Sequence, residues 1–184
     1  MTTEIYLIAP ENADAAALLS ALTAALASHS VAALLVPRGA RSEREYRDLV
    51  KVIRPPAQEA GAAVLVEGEP GIVRLLGADG LHVTGGIGAV KTAIEALKPD
   101  FIVGAGDVRS RDDAMRKGEA GVDYILFGPL SGPLTPAHRE LAEWWSDTME
   151  IPAVLSDPEA STAAFEAGNC EFIGLPLAVA EAVK

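Results

Sequence analysis

Cysteine occurs once in this sequence, as Cys170, so no disulfide can form within the chain, and a reducing compartment is expected. Aromatic residues are only 5% of the total, which leaves Ala, Val, Leu and Ile to build a core, as suits helices packed on an apolar sheet. Basic residues number 15 against 26 acidic ones. The formal net charge of −11 argues against nucleic acid or an anionic membrane as the main partner. An anionic substrate would need local basic groups to hold it against that field. No apolar run approaches the roughly 20 residues of a membrane span. The opening MTTEIYLIAP has neither a basic region nor the long apolar run of a signal peptide, so a cytoplasmic protein is expected. HxH, CxxC, GxSxG and P-loop patterns are missing, which removes the common zinc, redox, hydrolase and nucleotide signatures.

What is present is a globular balance, 49% hydrophobic and 22% charged, with no linker or low-complexity tract. One domain over residues 1–184 is expected. Short apolar runs alternate with helical ones along the whole chain. Strands are expected at 5–9, 31–36, 62–66, 80–84, 101–105, 124–127, 152–155 and 172–175. Helices are expected at 12–29, from 42 to a stop or bend at Pro55-Pro56, at 71–76, with Ala89, Val90, Ala93, Ile94 and Leu97 as the buried face of the next one, and at 111–119, 136–149, 161–167 and 177–183. Ser42 with Glu45 has capping-box spacing. Strands apolar on both faces and separated by helices imply a parallel sheet. Eight units of about 23 residues imply a compact α/β fold, the closed (β/α)8 TIM barrel, with a doubly wound open sheet as the rival.

The stretch GVDYILFGPLSGPLTP, residues 121–136, is the most informative. A four-residue apolar strand halts at Gly128-Pro129 and opens into a loop with Ser131 and Thr135. Such strand-to-loop exits are where α/β folds place ligands.

Several segments resemble the thiamine phosphate synthase family, with its thiazole tautomerase relatives. AGVDYILFGPLSGPLTP is similar to the family's GADYVGxGPxxPTxTK, ADGLHVTGG to ADGxHxGQxD, FIVGAGDVRSRDDA to IIGxSxHxxxEA, and EAGNCEFIGLPLAV to EAGADGVAVxSAI. The resemblance implies a phosphate-binding (β/α)8 barrel in thiamine biosynthesis. It implies a transferase that couples hydroxymethylpyrimidine diphosphate with thiazole phosphate, with Mg²⁺ on aspartates after strands three and four. The family's QxREK keeps its arginine as Arg38, but Val36 and Ala40 stand at the glutamine and lysine positions. Its first metal aspartate corresponds to the Glu67-Gly68-Glu69 segment, its second falls near Ile87, and its loop-six lysine becomes Pro136. The glycine pair at strand seven reads Ser156-Asp157, and the terminal serine becomes Pro176, which has no N–H. Diphosphate departure needs metal and cations. The alternative is therefore a catalytically degenerate barrel that serves as a phosphorylated-ligand binding or regulatory protein.

Candidate residues follow, each with a plainer reading beside it. Arg38 is a phosphate clamp, or a surface arginine paired with Glu43 or Glu45. Asp107 and Arg109, leaving strand five, form an acid/base pair or a surface ion pair. His82, sharing a strand face with Thr84, touches a ligand or is a satisfied core histidine. Gly128, Ser131 and Thr135 bind the ligand or simply build a turn. Ser156 and Gly174 sit where barrels bind phosphate. Glu67 is the candidate for Mg²⁺, or a solvated carboxylate. Trp144 and Trp145 are read as packing for an outer helix, with a homodimer contact as a further use. The expected partner is a small phosphorylated or heterocyclic ligand.

Overall fold

The computed structural model describes residues 2–178. Eight parallel strands close into a barrel in chain order. They are β1 (Glu4–Ile8), β2 (Val31–Val36), β3 (Ala63–Val66), β4 (Gly80–Val83), β5 (Ile102–Ala105), β6 (Tyr124–Phe127), β7 (Ala153–Ser156) and β8 (Phe172–Pro176). The open-sheet rival is excluded by the seam, where β1 pairs with β8 from Glu4↔Phe172 to Ile8↔Pro176. The helices are α1 (Ala15–Ser28), α2 (Glu43–Glu59), α3 (Ile72–Leu76), α4 (Ile87–Leu97), α5 (Arg111–Ala120) and α6 (Pro136–Thr148). None of the described helices is long and apolar enough to cross a membrane.

Strand parity divides the core in two. Tyr6, Ile8, Leu35, Leu65, Leu126 and Val154 fill the barrel interior. Residues of opposite parity, such as Leu34, Val64, Val103 and Leu155, meet the helices in a second, larger cluster. Most strands are therefore apolar on both sides, the reason they read as continuous apolar runs.

Three strands carry a carboxylate immediately before their first residue. Asp79 Oδ2 accepts the Val64 N–H at 2.7 Å, Asp123 Oδ2 the Val103 N–H at 2.8 Å, and Glu171 Oε2 the Ala153 N–H at 2.8 Å. Each carboxylate, entering an even-numbered strand, ties down the start of the strand before it. These acids sit at the floor of the barrel, away from the loops that follow the strands, and they are structural.

Helix starts follow the sequence signals. The Ser42–Glu45 capping box is formed on both sides, and Ser110 Oγ accepts the Asp113 N–H at 3.1 Å. Tyr46, Leu49, Val50, Ile53 and Ala57 bury one face of α2. Pro55-Pro56 does not stop that helix, which runs on to Glu59. The carbonyls of Lys51 and Val52, left without N–H partners by the prolines, belong to exposed residues where water can satisfy them.

The helix expected at 161–167 does not form. Ser161 and Ala164 instead exchange backbone hydrogen bonds at 3.3 and 3.1 Å, and the Glu166 carbonyl accepts from Arg139 Nη1 at 2.8 Å. A seven-residue segment, even with Gly168 to close it, gains too little from its own ladder to resist such competition. From residue 179 on, the helix expected at 177–183 lies outside the described residues. Trp145 is buried, with Nε1 donating to the Ile151 carbonyl at 2.8 Å, and Arg111 lies over the Trp144 ring at 4.8 Å. Both tryptophans thus serve helix packing within the chain.

Candidate active site at the barrel mouth

The interior carries one polar chain. Tyr6 Oη and Tyr124 Oη are 2.8 Å apart, and Tyr124 Oη lies 2.8 Å from His82 Nδ1. The His82 and Tyr124 rings are nearly parallel, 11° between planes and 5.8 Å between centroids. Two interior glycines of β5 and its exit make the room. A Cβ on Gly104 would stand 2.0 Å from the Tyr124 ring, and one on Gly106 would stand 2.7 Å from His82 Nε2. His82 Nε2 itself is buried without a hydrogen-bond partner. Burial first, and then the charge of Lys117, pushes the His82 pKa down to about 4, so the imidazole is neutral at physiological pH. Burial also raises the pKa values of Tyr6 and Tyr124, keeping both hydroxyls protonated.

A cavity of about 390 Å³ opens at the strands' carboxyl ends, lined in part by Ile8, Glu11, Asn12, Leu130, Ser131 and Pro176. Glu67 leaves β3 beside the rim. Its N–H donates to Tyr46 Oη at 2.9 Å, and its carboxylate accepts the Arg38 N–H at 3.0 Å. Burial chiefly, with a further push from Glu11, raises the Glu67 pKa. Glu67, His82 and Thr84 line a neighbouring recess of about 460 Å³ between the β3 exit and α4.

The other candidate residues have varied placements. Arg38 Nε donates to the Arg41 carbonyl at 3.2 Å, which draws the guanidinium toward the loop before α2. Asp107 and Arg109 pair with each other at 3.1 Å on the exposed β5 exit. Ser156 is buried, and its hydroxyl donates to the Pro129 carbonyl at 2.6 Å. Gly128 adopts φ 93°, and a Cβ there would stand 2.5 Å from the Ser156 carbonyl oxygen. A Cβ on Gly174 would be 3.0 Å from Ser156 Cα. Gly128, Ser156 and Gly174 thus lock the ends of β6, β7 and β8 together. Thr135 caps α6, accepting the His138 N–H at 3.3 Å. Of the loop-six hydroxyls, Ser131 is the one that lines the cavity.

Four residues matter here that the sequence did not single out. Tyr6 and Tyr124 form the interior chain with His82. Arg41 spreads its guanidinium over the carbonyls of Pro37, Pro10 and Ala13 at 3.0, 3.1 and 2.9 Å, clamping the β1 and β2 exits. Lys117, fully buried, donates to the Gly106 and Asp107 carbonyls at 3.0 and 3.3 Å and to Asp113 Oδ2 at 2.9 Å. The i,i+4 spacing of Asp113 and Lys117 was a sequence signal for that pair, though not for its burial.

The resemblance implies Mg²⁺, and at the mouth Glu11 and Glu67 are the carboxylates available to it. Among the described residues no group of three or more His, Cys, Asp or Glu side chains converges to hold a metal ion. Glu67 shares its carboxylate with the Arg38 backbone N–H.

Comparison with known proteins identifies the family. Residues 5–156 match the family model described as thiamine monophosphate synthase. The chain is 36% identical over 162 residues to the thiamine-phosphate synthase of Hyphomonas neptunium, covering 83% of this chain and 73% of that protein. It is 32% identical over 155 residues to that of Rhodospirillum centenum, covering 82% and 75%. Among solved structures, a thiamine phosphate pyrophosphorylase from Pyrococcus furiosus superposes with a TM-score of 0.72 at 20% identity, covering 94% of this chain and 85% of that one. KGPDC from Streptococcus mutans superposes with a TM-score of 0.69 at 11% identity, covering 96% and 88%, a likeness of fold alone. By sequence over most of its length, the chain belongs to the thiamine monophosphate synthase family.

Proposed function

We propose that this chain binds a small phosphorylated or heterocyclic ligand of thiamine biosynthesis at the barrel mouth, and that it is degenerate as a catalyst of diphosphate displacement. The observation that carries this is where the nearby cations point. Arg41 serves three carbonyls, Arg38 Nε a fourth, Lys117 two carbonyls and Asp113, and Arg109 its neighbour Asp107. Loss of a pyrophosphate leaving group builds negative charge that cations or a metal must meet in the transition state. Each missing contact of that kind removes on the order of 2–4 kcal/mol.

A second reading, retained coupling of hydroxymethylpyrimidine diphosphate with thiazole phosphate, is supported by the names of the two curated relatives. One assay separates the two. With both substrates and Mg²⁺ at saturation, thiamine phosphate formation should be at least about a thousandfold slower than with the Hyphomonas neptunium relative, since two lost contacts suffice for that. Calorimetry should still detect a ligand. A rate within about tenfold of the relative's would establish the second reading instead.

A further inference from the structure

The outward face of α2 is divided lengthwise by charge. The helix buries Tyr46, Leu49, Val50, Ile53 and Ala57 against the barrel. Arg44, Arg47, Lys51 and Arg54, spaced three, four and three apart, run down one flank of the remaining face. They are four of the 15 basic residues in a chain of net charge −11. Glu45, Asp48, Val52 and Glu59 run down the other flank. The basic flank turns toward α3, since a Cβ on Gly77, just past α3, would stand 2.9 Å from Arg54 Nη1. The acidic flank turns toward the start of α1, where it walls a groove of about 620 Å³. Glu11, Asp14, Glu45 and Asp48 rim that groove, and Leu49 and Val52 give it an apolar floor. Val52 is 40% exposed.

We propose that two copies of this chain associate side by side through α2, each placing the basic flank of its helix against the acidic groove of the other. The two-fold axis lies parallel to the barrel axis, and both mouths open in the same direction.

That rotation keeps the two α2 helices parallel. It sets the α3-side flank of one against the α1-side flank of the other, twice over, so both seams join unlike charges. An antiparallel pairing would set each flank against its own kind. Lys and Arg stems lie along Leu49 and Val52 while their heads reach the carboxylates of the rim. The pairs that α2 makes within itself compete weakly. Arg44 with Asp48 at 4.0 Å and Arg47 with Glu43 at 3.9 Å are long and exposed. Repulsion between two chains of charge −11 is screened beyond about 8 Å at physiological ionic strength, which leaves the local pairs to decide. A foreign basic segment would need the groove alone; the matching basic row on the same helix singles out a second copy. Glu11 lines both this groove and the mouth cavity, which sets the contact beside the rim.

Sedimentation equilibrium on the full chain, at concentrations up to about 1 mM, tests this. The wild type should show a monomer–dimer equilibrium. Lys51→Glu and Asp48→Lys, both at exposed positions, should each weaken it at least about tenfold, because each sets like charges together at both seams. An equimolar mixture of the two variants should recover the association, since each new charge then faces its opposite on the other chain. A wild type that stays monomeric over the whole range would overturn the proposal. So would a dimer that either variant leaves intact, since its contact would lie on another face. Loss of association in both variants without recovery on mixing would overturn the parallel two-fold arrangement.

Discussion

His82 holds a neutral imidazole among interior rings, with one nitrogen on Tyr124 and the other without a partner. Its pKa of about 4 in the fold lies below the ordinary 6.5, so the unfolded chain binds the proton more readily between those values. Acidification therefore favours unfolding: the stability linked to neutral His82 is whole above about pH 6.5 and is lost as pH falls toward 4. The linked energy is roughly 2–4 kcal/mol. Replacing His82 by Asn removes this dependence along with the Tyr124 contact. Urea denaturation of the wild type and His82→Asn at pH 7 and pH 4 should show their stability difference narrowing by about that amount. A difference constant across the window would mean that His82 takes up its proton in the fold as readily as in the unfolded chain.

The carboxylates entering β4, β6 and β8 argue for a division of labour along each strand. Asp79, Asp123 and Glu171 each accept an N–H of the preceding strand at the barrel floor, whereas the ligand cavity opens at the opposite rim. Asp123→Ala leaves the Val103 N–H unpaired and removes the ion pair with Lys98. It should cost about 1–3 kcal/mol in chemical denaturation, with ligand affinity unchanged; a large loss of affinity at unchanged stability would place Asp123 in the site. The strands themselves could be read from sequence because burial on both faces makes each an apolar run. Their interior chemistry could not: in Tyr124-Ile125-Leu126-Phe127 nothing marks Tyr124 as the residue whose hydroxyl meets His82 and Tyr6 from other strands. Gly104, its register partner on β5, has the space that admits the ring, but that pairing exists only once the barrel has closed. Ser42 was readable as a cap because capping is a local affair, whereas Thr135, read as a ligand or turn residue, caps α6. The segment 161–167 was misread because its outcome depends on Arg139, more than twenty residues away.

The molecule as a whole is an anion of formal charge −11, and no cation is aimed into the described mouth cavity to offset that field locally. A diphosphate approaching the rim is repelled at long range by the total charge and at short range by Glu11 and Glu67. Two exposed positions allow both terms to be reversed. Ala40 follows β2 and Pro136 opens α6, where resemblance to the family places lysines. A Lys at either place adds a charge near the rim without entering the core, and the first helical turn does not require proline. The Ala40→Lys/Pro136→Lys double variant should bind inorganic pyrophosphate at least about tenfold more tightly than the wild type at about 0.1 M salt. At about 1 M salt the screening length falls from about 10 Å to about 3 Å, and most of that gain should vanish. A gain that survives high salt would indicate direct, buried lysine–phosphate contacts. No gain at low salt would mean that missing charge is not what separates this mouth from one that holds a diphosphate.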